Sequence, residues 1–118
     1  MAGVKRFRDL EIWQKGVELV TLVYEVTARF PESESYGLSA QMRRCAVSVP
    51  SNVAEGFRRG HHKEFRQFLH IALGSLAELE TQVVIALTLR YLKDEDEPAA
   101  IDRIDHISRM ISNLLKTL

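Results

Sequence analysis

Between residues 43 and 70 the chain gathers Arg43, Arg44, Arg58, Arg59, Lys63 and Arg66, with His61, His62 and His70, against only Glu55 and Glu64. Cationic side chains in such density can bind phosphates by releasing counterions, without reading a base sequence. The stretch from Lys93 to Asp105 is acidic instead, with Asp94, Glu95, Asp96, Glu97, Asp102 and Asp105, so a chain of zero formal net charge is polarised. Three readings stay open. The basic cluster is a sequence-nonspecific surface for RNA or DNA, or it is a solvated helix end, or a patch that meets the acidic loop of a neighbouring subunit. No stacking-aromatic signature of an RNA-binding fold accompanies it.

Other chemistry finds less support. Asn52, Glu55, Ser75, Glu78, Glu80 and Gln82 include carboxylates that could in principle pair for acid–base work. A structural polar network explains them better. An interior proline strips the carbonyl four residues back, here Ala46, of its donor, and Asn52 beside Pro50 is placed to supply one. Di-iron bundles need Glu-x-x-His spacing, and no Glu or Asp here has a histidine three positions later. Asp102 and His106 read as a surface pair one helical turn apart. The single cysteine, Cys45, excludes an internal disulfide and reads as a small buried hydrophobe. No nucleophile elbow, phosphate-binding loop or dinucleotide fingerprint occurs. No catalytic residue, metal or cofactor is expected.

Four helical segments must position these groups. The first runs from about Asp9, as N-cap, to Arg29. It carries one apolar row of Leu10, Trp13, Val17, Val20, Tyr24 and Ala28, and a second of Ile12, Leu19, Val23, Val26 and Phe30. After a polar connector, the second helix puts Leu38, Met42, Cys45, Ala46, Val49 and Val53 on one face. Pro50 stands inside it and predicts a kink, at about 3 kcal/mol in an unsupported helix; Gly56 and Gly60 bracket its end. The third helix runs from about His62 to Tyr91. Its main stripe is Phe65, Phe68, Leu69, Ala72, Leu76, Leu79, Val83, Ala86 and Leu87, while Ile71, Ile85 and Leu89 lie too far round the helix to share that core. Its Gly74 suggests a close helix approach. The fourth helix starts near Ala99 and buries Ile101, Ile104, Ile107, Ile111, Leu114, Leu115 and Leu118.

Short connectors make neighbours antiparallel. The expected fold is therefore all-α, an up-down-up-down four-helix bundle with the second helix kinked at its proline, as a single domain over 1–118. The double rows on the first and third helices predict oligomerisation, with Leu19, Val23, Val26, Ile71, Ile85 and Leu89 as subunit contacts. No apolar run approaches ~18 residues, so neither a membrane span nor a secretory signal is expected, and a cytoplasmic location follows by default.

Several ordered blocks then carry a resemblance. They are Phe7-Arg8-Asp9-Leu10-Glu11-Ile12-Trp13-Gln14-Lys15, then Phe30-Pro31, then Tyr36-Gly37-Leu38 leading into Gln41 through Gly56 with Val49-Pro50-Ser51-Asn52-Val53-Ala54-Glu55 at its centre, then Lys63-Glu64-Phe65, and then Leu69 through Gln82 with Gly74-Ser75-Leu76-Ala77-Glu78. From about residue 7 to 92 the chain resembles the bacterial four-helix-bundle proteins named after intervening sequences of 23S ribosomal RNA. The fourth helix matches only in pattern. The resemblance implies a ring-shaped homopentamer. It also brings in a relative, the accessory variability protein of diversity-generating retroelements, which binds a reverse transcriptase and nucleic acid. This chain lacks that protein's overall basic charge. The expectation is a non-enzymatic scaffold or adaptor with phosphate contacts from Arg43, Arg44, Arg58, Arg59, Lys63 and Arg66. The alternative is a module that recruits a protein partner, such as a reverse transcriptase, and touches no nucleic acid.

Overall fold

The first helix grows from Leu10 rather than Asp9. In the computed structural model, which describes residues 3–118, Phe7–Asp9 forms a single 3-10 turn and α1 spans Glu11–Thr27. Leu10 is extended and buried at the junction. Asp9 stays exposed beside Arg6, at 3.6 Å, and caps nothing. Burying a leucine side chain is worth about 1.5–3 kcal/mol, more than the ~1 kcal/mol of a side-chain cap, so packing sets the boundary.

After α1 a second 3-10 turn at Glu32–Glu34 leads into α2, Leu38–Arg58. Glu34 caps that helix from outside: its Oε1 accepts the Leu38 N–H at 3.0 Å and its Oε2 accepts the Tyr91 hydroxyl at 3.1 Å. The helix α2 runs unbroken through Pro50. Asn52 does not serve the Ala46 carbonyl expected to be stranded there; its amide donates to Ser48 O at 2.7 Å. Gly60, at φ 76°, turns the chain sharply into α3, His62–Thr88. The third helix ends before Tyr91 because Arg90 adopts a left-handed φ of 65°, which lets the Tyr91 N–H reach Ala86 O at 2.9 Å. The last helix, α4, spans Asp96–Leu115 and so begins ahead of Ala99. Pro98 sits in its first turn, where a missing N–H costs nothing. No strand occurs among the described residues.

Side chains at the corners establish the antiparallel order. Arg43, early in α2, donates to Thr27 Oγ1 at 2.8 Å at the end of α1. Arg66, early in α3, donates to Leu115 O at 2.6 Å at the end of α4. Arg29, just past α1, pairs at 2.7 Å with Asp96 at the start of α4. Each helix packs on its neighbours in chain order and α4 closes on α1, an up-down-up-down bundle of 44 × 24 × 20 Å.

The second of the two apolar rows of α1 forms the core, and the first is fully buried only at Leu10. Ile12, Leu19, Val23, Val26 and Phe30 are buried, whereas Val17 and Tyr24 are exposed on the flank toward α2. Leu19, Val23 and Val26, expected as subunit contacts, are therefore enclosed in the protomer core. A Cβ at Gly16 would lie 3.2 Å from Pro50 Cβ, so the bare backbone at Gly16 is where the proline ring of α2 packs. That contact lies on the same face of α1 as Leu19 and Val23.

Candidate nucleic-acid interface

The cationic residues expected to act together divide between the two ends of the bundle. Arg43 and Arg58 are fifteen residues apart on one helix, about 22 Å along its axis. Arg43 is committed to α1: its guanidinium lies 4.5 Å from the centre of the Tyr24 ring and reaches Thr27. Arg44 is exposed one residue further on. Arg58, Arg59, Lys63 and Arg66 stay together around the α2–α3 turn.

That end holds more cations than the spacing along the chain suggests. Because α1 runs toward the opposite end, its N-terminal lead lies here, with Arg58 stacked 5.4 Å from the centre of the Phe7 ring. Lys5, Arg6 and Arg8 thus join the cluster, and Lys116 joins it from the end of α4. The direction of α1 was the signal that could have found them. Their local opponents are Asp9, Glu11, Glu55 and Glu64. Arg59 is the most neutralised member, 2.8 Å from Glu55 and 3.7 Å from Glu64. Arg66 spends one N–H on Leu115 O. Arg58 and Lys63 are exposed, and neither is in an ion pair among the described residues.

The opposite end is acidic. Glu25, Glu32, Glu34, Asp94, Glu95, Asp96 and Glu97 gather where α1 ends and α4 begins, against Arg29, Arg43, Arg90 and Lys93. The polarity along the sequence has become a polarity along the bundle axis.

The polar residues expected to form one network make separate contacts, and within the set only Gln82 Nε2 donating to Glu78 Oε2 at 3.5 Å joins two members among the described residues. The Ser75 and Ser48 hydroxyls are hydrogen-bonded at 2.6 Å, and the Cys45 thiol donates to Ser75 O at 3.0 Å. This ties α2 to α3. Burial, and then the nearby Glu78 carboxylate, push the Cys45 thiol up to about 11, which keeps it protonated and unreactive. Asn52 serves its own helix, Glu55 pairs with Arg59, and Glu80 is exposed. Gln82 is buried with Oε1 unpartnered. No group of three or more metal-ligating side chains converges among the described residues. Asp102 and His106 line a shallow hollow of about 250 Å³ together with Lys15, Glu18 and Arg103.

Two apolar flanks remain uncovered. Ile71 and Ile85 on α3 and Leu89 just past its end are 43–50% exposed, and Val17 and Tyr24 on α1 and Val47 on α2 are 40–44% exposed, with Arg43 over the Tyr24 ring. By length and composition α3 is apolar enough to cross a membrane, with a mean hydropathy of 1.4 and a third of its apolar window buried. Gly74 on the same helix has no neighbour that would touch a Cβ within 4 Å, so no helix of the protomer makes the close approach expected there.

The sequence model of the 23S rRNA-intervening sequence proteins matches residues 8–113. The chain belongs to this family. Among solved structures, this intervening sequence protein is similar to a Bacteroides thetaiotaomicron protein of unknown function from the S23 ribosomal protein family. The two superpose with a TM-score of 0.79 at 19% identity, covering 89% of this chain and 98% of the other. At that identity the likeness establishes the fold alone. No curated protein sequence matches the chain.

Proposed function

We propose that this intervening sequence protein is a non-enzymatic cytoplasmic scaffold that assembles as a closed ring, a pentamer by family resemblance, and holds nucleic-acid phosphates at its basic end without reading sequence. The observation that carries this reading is the separation of charge along the bundle axis. Lys5, Arg6, Arg8, Arg58 and Lys63 share one end although the chain as a whole is neutral. A neutral protein gains no long-range attraction from net charge, but a local cationic surface still displaces counterions from a phosphate backbone. In a ring the same end repeats once per subunit, so weak contacts to one strand add.

The two uncovered flanks fit such a ring. A closed cycle uses different surfaces on the two sides of each subunit, and the exposed apolar residues of the α3 flank are different from those of α1 and α2. The link to the retroelement accessory protein belongs to the same proposal and rests on the resemblance described above.

Binding of the purified protein to labelled structured RNA and duplex DNA across a salt series tests the reading. With three or four phosphates engaged per subunit, log K falls against log salt with a slope of about −3 for each subunit bound to duplex. Absence of binding at low salt refutes it and leaves a protein-recruiting adaptor, for which a reverse transcriptase is the first partner to try.

A further inference from the structure

At the basic end, the α2–α3 turn borders an open pocket of about 260 Å³ lined by Phe57, Gly60, His61, His62 and Phe65. Every lining residue except Gly60 carries a flat ring. The Phe57 and Phe65 rings meet edge to face, 5.9 Å between centres at 83°, and form an apolar corner. His61 and His62 are exposed at its mouth. Gly60 supplies the left-handed turn, φ 76°, that brings the end of α2 back over the start of α3. The pocket falls just below the ~300–1,000 Å³ of sites for drug-sized ligands, so it suits one ring system rather than a large cofactor.

We propose that this pocket seats a single unpaired base of a nucleic-acid strand, with the flanking phosphates on Arg58 and Lys63. The inference rests on the nucleic-acid reading above and narrows it to single strands. The chemistry follows from what adjoins the pocket. Phe57 and the buried Phe65 form its floor and the exposed His61 and His62 its walls, so a planar base can stack there while a bare phosphate gains little. Arg58 and Lys63, each next in sequence to a lining residue, hold phosphates but give no purchase on a base. A nucleotide in a strand presents both groups within one repeat, and stacking on aromatic side chains tolerates any base. A duplex keeps its bases inside the stack and cannot fill the pocket without unpairing. The aromatic component is absent from the sequence as a motif because it is assembled from two helices across the turn.

The test compares short homopolymer strands of RNA and of DNA with strands of equal length and charge that lack bases, on the full-length protein. Stacking of one base is worth about 1–3 kcal/mol, hence about 5- to 150-fold tighter binding of the strand that has bases. The double variant His61→Ala/His62→Ala, at two exposed positions, narrows that gap and leaves the salt slope unchanged. Arg58→Glu weakens both kinds of strand alike. Equal affinity for strands with and without bases overturns the base seat while phosphate binding stands. An unchanged gap in the double variant overturns it as well. If neither strand binds at low salt, the phosphate reading itself has failed and the base seat with it.

Discussion

Replacing Gly56 by alanine probes a close contact between α2 and α3. A Cβ at Gly56 would stand 2.6 Å from Phe68 Cβ and 3.1 Å from Phe65 Cδ1. Unbonded carbons rest at about 3.5–4.0 Å, so one helix must back away from the other by about 1 Å. Phe68 Cβ is bonded directly to its own backbone and cannot swing aside on a rotamer. Overpacking of this kind costs about 1–3 kcal/mol, and so close a contact to a fixed atom belongs at the upper end. Alanine returns about 0.8–1 kcal/mol of helix propensity. The expected net loss is about 2 kcal/mol, or roughly 8 °C in Tm for a domain of this length. Urea unfolding followed by circular dichroism, at fixed protein concentration, measures it as a lower midpoint with unchanged slope. A Gly56→Ala protein as stable as the parent, or more stable, would refute the claim that α2 and α3 touch backbone to side chain at this point.

Two further outcomes follow from the same geometry. Ile85 is 43% exposed on the uncovered flank of α3, so Ile85→Asp is expected to keep the helical signal while shifting sedimentation from ring to single chain; a parent already monomeric at micromolar concentration would exclude the ring. The Cys45 thiol, held up at about 11 against an ordinary 9.0 by burial and by Glu78, should resist iodoacetamide at pH 8 until the protein is unfolded. Because its folded value lies above the unfolded one, its contribution to stability is complete below pH 9 and declines toward pH 11. Cys45→Ala should lose that component of the alkaline decline, and rapid native alkylation at pH 8 would contradict the burial.

The helical stripes of α2 and α3 were legible because each has one dominant apolar row at helical spacing. On α1 two rows of equal quality compete, and periodicity cannot choose between them. The buried row is the one that also holds Gly16, which meets Pro50 34 positions further along the chain. Helix ends moved for similar reasons: buried Leu10 outweighs Asp9 as a start, and the left-handed Arg90 stops α3 before Tyr91. The cationic cluster was legible as composition but misgrouped. Counting along the chain joined Arg43 to Arg58, which α2 holds at its two ends, and left out Lys5, Arg6 and Arg8, which the direction of α1 brings in. Antiparallel order follows from short connectors, so that correction could have been reached without coordinates. The pairing of Phe57 with Phe65 across Gly60 could not, because it depends on how far the turn folds back.

The most direct test of the account places charge reversals at the two ends of the bundle and compares their effect on nucleic-acid binding at one salt concentration and across a series. Arg58→Glu/Lys63→Glu at the basic end should weaken binding to every sequence alike and make the salt dependence shallower by about two phosphate contacts per subunit. Arg90→Glu/Lys93→Glu at the acidic end should change neither. Equal losses from the two pairs, or none from the first, would contradict the assignment of phosphate binding to the end that carries the α2–α3 turn.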